Sequence, residues 1–211
     1  VELETNRRQE PLPPFFRQMR GDGRPVVAVL GHLGACELLA GFLSELQPGR
    51  PTMIVVRSQR SEAINEFMRE LRSTGASGSV GHRNASAEVT ATLRAKGTAA
   101  FLVDHNTLRQ EAIFLPFLGE TAAVNLGPAL LALRGKAVVY PVFLQRLPGN
   151  RYRVNALEPL DTATLEGSVS ARAAQVASFY TGAQERLVPA CPEQWVWMHK
   201  RWQTQPRTES A

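Results

Sequence analysis

The residues best suited to chemistry begin at His32. The stretch Gly31-His32-Leu33-Gly34-Ala35-Cys36-Glu37 follows directly on the apolar run Val26–Leu30. An imidazole that leaves a buried strand and enters a helix N-terminus is disfavoured as a cation by the helix dipole. It is therefore held neutral, the form that a general base requires. Glu37, in the first helical turn, is placed to accept from one ring nitrogen and to stabilise the imidazolium formed on proton uptake. The other reading is a capping box, with Gly34 as N-cap and Glu37 at N3. Of the four histidines only His32 has an acid at this spacing, since Ala87, Gln110 and Thr204 follow the others. Cys36 offers a second nucleophile beside His32, against the simpler reading of a small buried apolar group.

Two further groups stand at strand ends. Arg57 closes the run Met53–Val56, where a guanidinium suits a phosphate or a carboxylate, or is a plain surface arginine. Asp104 closes Ala99–Val103 in the same way. In open α/β sheets ligands bind at the carboxyl ends of strands, so His32, Arg57 and Asp104 are candidates to converge on one crevice.

The elements that must position these groups alternate. Apolar strands are expected at 26–30, 53–56 and 99–103. Helices are expected through Leu38, Leu39, Phe42, Leu43 and Leu46, stopped by Pro48-Gly49, and at 61–72 and 85–95. Residues 75–81 read as a flexible loop, and 113–118, which contain Pro116, as an edge or a loop. A helix opened by Gly127-Pro128 spans 125–134. Strands at 137–144 and 152–157 flank the turn Pro148-Gly149-Asn150. A long helix covers about 169–187, and a last short helix carries Trp195, Trp197 and Trp202, which most simply pack it onto the domain. The fold class is thus α/β, a single domain with a mixed, largely parallel central sheet flanked by helices. Residues 1–24 read as a lead-in from a longer N-terminal region, 25–206 as the catalytic domain and 207–211 as a tail.

Composition narrows the function. The 211 residues are 44% hydrophobic and 20% charged, enough apolar content for a core and unlike a disordered chain. The longest apolar runs have five residues, far short of the ~18 of a spanning helix. Two cysteines outside any CxxC make neither a disulfide framework nor a zinc ribbon, and no metal-binding motif is present. Nucleophile elbow, Walker A and dinucleotide fingerprints are absent. The net charge of +5 favours a polyanionic partner. Between Arg134 and Leu157 lie Arg134, Lys136, Arg146, Arg151 and Arg153 with no acid. No RNA- or DNA-binding signature accompanies this charge, so no nucleic-acid partner is expected.

In order, these motifs resemble the lysophospholipid acyltransferase superfamily and, within it, the late (lauroyl/myristoyl) acyltransferases of bacterial lipid A biosynthesis. His32–Glu37 resembles the family's H-x4-D/E, and Val55-Val56-Arg57 its strand ending in a substrate-binding arginine. Val103-Asp104-His105-Asn106 followed by Phe114–Gly119 resembles its D-Q-x and F-x-P-F-F-G blocks, and Pro141-Val142-Phe143 its late proline block. Pro192-Glu193-Gln194-Trp195-Val196-Trp197-Met198-His199-Lys200-Arg201-Trp202 closely resembles the C-terminal P-E-Q-W-x-W-x-H-x-R-W. The departures are Leu33-Gly34-Ala35-Cys36 for the usual F-G-N-W, His105 for glutamine, and Arg109–Ala112 where glycines are usual.

The resemblance implies a glycerolphosphate acyltransferase-like fold and transfer of a fatty acyl chain from acyl-ACP or acyl-CoA, as co-substrate, to a hydroxyl of a lipid A precursor or related glycolipid. It implies no other cofactor and no metal. His32 is the implied base and Glu37 its partner, with Arg57, Asp104, Arg72 and Arg83 as substrate-binding groups. Backbone N–H groups near the helix N-terminus are the implied oxyanion donors. The implied partners are the carrier protein or CoA thioester, an anionic glycolipid and a membrane surface. The implied place is the cytoplasmic face of the bacterial inner membrane, with the family's membrane anchor outside this chain. A non-catalytic or altered-specificity lipid- or carrier-binding relative is the alternative.

Overall fold

The computed structural model describes residues 2–3, 14–21, 23–46, 49–57, 61–72, 77–82 and 85–207. Its centre is β2 (Val26–Leu30), five residues buried on both faces. Continuous burial of this kind is the mark of a central parallel strand. β2 pairs in parallel with β5 (Thr98–Leu102) on one side and with β8 (Val138–Leu147) on the other. Beyond β5 lie β3 (Thr52–Val56) and β4 (Ser77–Gly81), also parallel. Beyond β8 the sheet turns antiparallel through β9 (Arg151–Ala156) and the two-residue β1 (Glu2–Leu3), and β10 (Leu160–Asp161) also pairs with β8. The main sheet is therefore mixed and largely parallel, as the alternation of elements implies.

Helices cover both faces. Val26, Ala28 and Leu30 share one core cluster with Met19, Leu39 and Leu43. These come from α1 (Pro14–Gly21) and α2 (Cys36–Leu46). Met19 is fully buried, so the stretch before residue 25 carries a helix that enters the core. α3 (Glu62–Arg72) packs against α2 and β4. Val27 and Val29 point the other way and join Val89, Leu93, Ala129, Ala132, Val176 and Tyr180. Those residues belong to α4 (Ala85–Arg94), α5 (Gly127–Gly135) and α6 (Val169–Leu187). The period-two alternation along β2 thus separates two cores, one on each face of the sheet.

Two expectations are corrected, and the choice between edge strand and loop for 113–118 falls to the edge strand. Residues 77–81 form the edge strand β4 rather than loop, because parallel pairing with β3 overrides the weak strand preference of Ser-Gly-Ser-Val-Gly. Residues 112–117 form β6, which pairs with an unforeseen β7 (Glu120–Asn125) in a separate antiparallel hairpin turned by Leu118-Gly119. Both turn residues have positive φ, +51° and +85°, as a two-residue hairpin turn demands. The last tryptophans do not share an α-helix: Pro189 and Pro192 punctuate 3-10 turns at Val188–Ala190, Pro192–Gln194 and Trp197–His199.

Candidate active site

The parallel pairing of β2 with β5 brings His32 and Asp104 together across 72 positions of sequence. His32 Nδ1 lies 2.7 Å from Asp104 Oδ1, and His32 N–H donates to Asp104 Oδ2 at 2.6 Å. Trp195 Nε1–H donates to the same Oδ2 at 2.9 Å. The carboxylate is fully buried while the His32 side chain keeps 25% of its surface exposed. The pair is therefore an inner acid holding an outer imidazole. Burial opposes ionisation of Asp104. The bonds from the His32 ring, Trp195 and the His32 amide outweigh it, and the carboxyl sits below its usual range. With Asp104 ionised, Nδ1 carries the proton and donates, which leaves the lone pair on Nε2.

The turn that presents His32 depends on close backbone approach. Gly34 has φ +63°, and a Cβ there would lie 2.1 Å from the Leu144 carbonyl oxygen, so no other residue fits. Gly34 N–H donates to the Gln194 carbonyl at 3.0 Å, and Ala35 N–H to the Leu144 carbonyl at 2.8 Å. With His32 N–H bound to Asp104, the amides of His32, Gly34 and Ala35 are committed to the protein and are not free oxyanion donors.

The other sequence-predicted groups lie outward. Glu37 is exposed on the first turn of α2. Cys36 is partly buried; burial, then the charges of Glu37 and Asp104, push its thiol up to about 11. At neutral pH it is a thiol rather than a nucleophilic thiolate. Arg57 is exposed just past the end of β3. β5 lies between β3 and β2, so at ~4.8 Å per strand Arg57 stands about 10 Å along the sheet edge from His32. Arg72 is the last residue of α3, and Arg83 lies outside the described residues. Of the three strand-end groups, His32 and Asp104 meet and Arg57 flanks them. No cluster of metal-ligating side chains is present among the described residues.

Sequence reasoning missed the part played by the C-terminal string. Trp195 was legible as a packing residue, and it is buried against Phe117 and Trp202. Its indole N–H, however, is one of the donors that hold Asp104. Gln194 spans the same region, accepting from Arg146 N–H at 2.8 Å and donating to the Arg146 carbonyl at 3.0 Å. A tryptophan buried beside polar groups was the available signal, because a buried indole N–H needs an acceptor.

Residues 15–204 match the family described as bacterial lipid A biosynthesis acyltransferase. Over 105 residues the chain is 29% identical to a lipid A biosynthesis lauroyltransferase of Escherichia coli (strain K12), an alignment covering 49% of this chain and 33% of that protein. The match therefore spans about a third of that relative's length.

Proposed function

Because the chain belongs to the bacterial lipid A biosynthesis acyltransferase family, we propose that it moves a fatty acyl chain from an acyl thioester to a hydroxyl of a lipid A precursor or related glycolipid. His32 acts as general base. The observation that carries this reading is the 2.7 Å contact of His32 Nδ1 with a wholly buried Asp104 carboxylate. It commits one ring nitrogen and frees the other. Nε2 takes the proton of the acceptor hydroxyl as its oxygen attacks the thioester carbonyl. The tetrahedral intermediate collapses with C–S cleavage, and the leaving thiolate recovers the proton from His32. The imidazolium that exists between these steps is stabilised by Asp104 at Nδ1. No acyl-enzyme is needed, in keeping with a Cys36 that is held protonated.

Asp104 then acts on His32 rather than on substrate. Glu37, exposed one turn into α2, supplies a second negative charge near the centre. Arg57, exposed on the same sheet edge, is positioned for an acceptor phosphate, and Arg72 and Arg83 are further candidates for that task. The donor is acyl-ACP or acyl-CoA, a co-substrate rather than a resident cofactor.

The setting proposed is a membrane surface, reached from the cytoplasmic face of the inner membrane. No helix among the described residues is long and apolar enough to cross a bilayer. However, α2 and α3, which both start at the site end of the sheet, expose Leu38, Ile64 and Phe67 by 51–60%. The basic β8–β9 hairpin, with Arg146 and Arg151 exposed, suits anionic lipid or an acidic carrier protein.

Mass spectrometry of lipids from cells with and without the full-length gene tests the reading. The expected result is a gain of one acyl chain on one phosphorylated glycolipid class. An unchanged lipid profile, with acyl-ACP binding retained, supports the non-catalytic relative instead.

A further inference from the structure

The C-terminal string brings a second imidazole to the centre. The ring centroid of His199 lies 4.1 Å from that of His32, with the planes tilted by 57°. His199 is clamped in this position from both sides. Ahead of it, Gly34 N–H donates to the Gln194 carbonyl and Val196 N–H to the His32 carbonyl, each at 3.0 Å, and Trp195 donates to Asp104. Behind it, Arg201 is buried and its Nη1 donates to the carbonyls of His105 and Ala123. The 3-10 turn that carries His199 ends at Lys200, where φ is +47°. The residues that fix His199 are bonded to His32, Asp104 and the residue after Asp104.

Its chemistry is specific. His199 Nε2 is withheld from solvent and has no hydrogen-bond partner. Burial first, and then the neighbouring His32, hold His199 below the usual histidine range, with Asp104 opposing. His105, the third imidazole bearing on this point, is likewise held down by burial. His199 is thus a neutral ring. It does not repel the imidazolium that forms on His32, as a cation at this distance would.

We propose that His199 is a positioning residue for His32: its neutral ring and the Asp104 carboxylate together hold the base in the one orientation that gives Nδ1 to Asp104 and leaves Nε2 for the acceptor hydroxyl. The proposal rests on His32 being the base. Without the ring, a side chain that is a quarter exposed is restrained at Nδ1 alone and is free to leave Asp104.

Nitrogen NMR of histidine-labelled protein reads the orientation directly, through the tautomer. Wild-type His32 is expected to give one fixed ring form, with its proton on the Nδ1 that faces Asp104. In His199→Ala that signal becomes exchange-averaged, and His199→Phe, which restores a ring, restores it. With lauroyl-ACP and a lipid A precursor in detergent micelles, His199→Ala is expected to lower kcat about tenfold or more, with KM within about twofold. Should His199→Ala not fold by circular dichroism, His199→Leu, which keeps volume without a ring, carries the same expectation. A fixed His32 tautomer and a wild-type kcat in a folded ring-less variant overturn the proposal. His32→Ala, measured alongside, separates the two failures. If it is inactive while His199→Ala is wild-type, only the role of His199 falls. If His32→Ala retains full turnover, the base reading falls, and the tautomer alone decides whether His199 holds His32.

Discussion

Trp195→Phe isolates the hydrogen bond that joins the C-terminal string to the buried acid. The substitution keeps an aromatic ring but removes the donor 2.9 Å from Asp104 Oδ2. A hydrogen bond to a charged group contributes about 1.5–3 kcal/mol. For a domain of this size 1 kcal/mol moves Tm by roughly 2–4 °C, so the lost bond lowers Tm by roughly 3–12 °C near pH 7. A second loss comes from volume, since Trp195 packs edge-on against Phe117 and Trp197, with centroids 5.7 and 4.6 Å away.

The two contributions separate by pH. Asp104 is depressed in the folded state, so its stabilisation is complete above the unfolded value of about 3.9 and is lost as pH falls through the folded value. Trp195→Phe raises that folded value. The destabilisation from the missing bond is therefore greatest at neutral pH, shrinks once pH reaches the variant's own carboxyl pKa, and below the wild-type value falls to the smaller loss of a bond to a neutral carboxyl. The packing loss does not change with pH. Trp202→Phe is the control, because its indole donates at 3.2 Å to the neutral carbonyl of Phe117. Thermal melts by circular dichroism from pH 7 down through the titration of Asp104 should show a Tm difference that narrows for Trp195→Phe and stays constant for Trp202→Phe. A Trp195→Phe difference that is independent of pH refutes the claim that this bond holds a charged Asp104.

Three further substitutions test the site. With its thiol pushed up to about 11, Cys36 is about one part in ten thousand thiolate at pH 7. Cys36→Ala is expected to keep its transfer rate within about threefold, and intact-protein mass spectrometry of a reacting mixture to find no acyl adduct on Cys36. Asp104→Asn removes the carboxylate that holds Nδ1 and is expected to cost ~10²–10⁴-fold in kcat. Glu37→Gln is expected to cost less than ~10-fold, because Glu37 bears on the centre by charge from an exposed turn. Steady-state rates that reverse this order move the orienting role to Glu37.

How much of this was written in the sequence differs residue by residue. β2 was legible because five consecutive apolar residues admit few other readings, and His32 was legible because it follows them directly. Arg57 and Asp104 were legible as strand-end groups for the same reason. The adjacency of β2 and β5 was not, since strand order is set by packing across the sheet and leaves no local mark. The histidine's nearest acid in the chain is thus Glu37, while the carboxylate against its ring comes from 72 residues away. β4 escaped notice because Ser77–Gly81 has a single β-branched residue, Val80, among serines and glycines, and parallel pairing with β3 supplies what propensity does not. In the C-terminal string the aromatic content pointed to packing, which Trp195 and Trp202 do provide. The indole bond to Asp104 and the ring contact of His199 depend on where Pro189 and Pro192 turn the chain, and composition does not reveal that path.

The role of His32 as the base is tested most directly by the transfer rate of His32→Ala. With lauroyl-ACP as donor and a lipid A precursor as acceptor, full-length protein carrying His32→Ala is expected to lose ~10²-fold or more in kcat while it binds the donor as the wild type does. Turnover equal to that of the wild type contradicts the account.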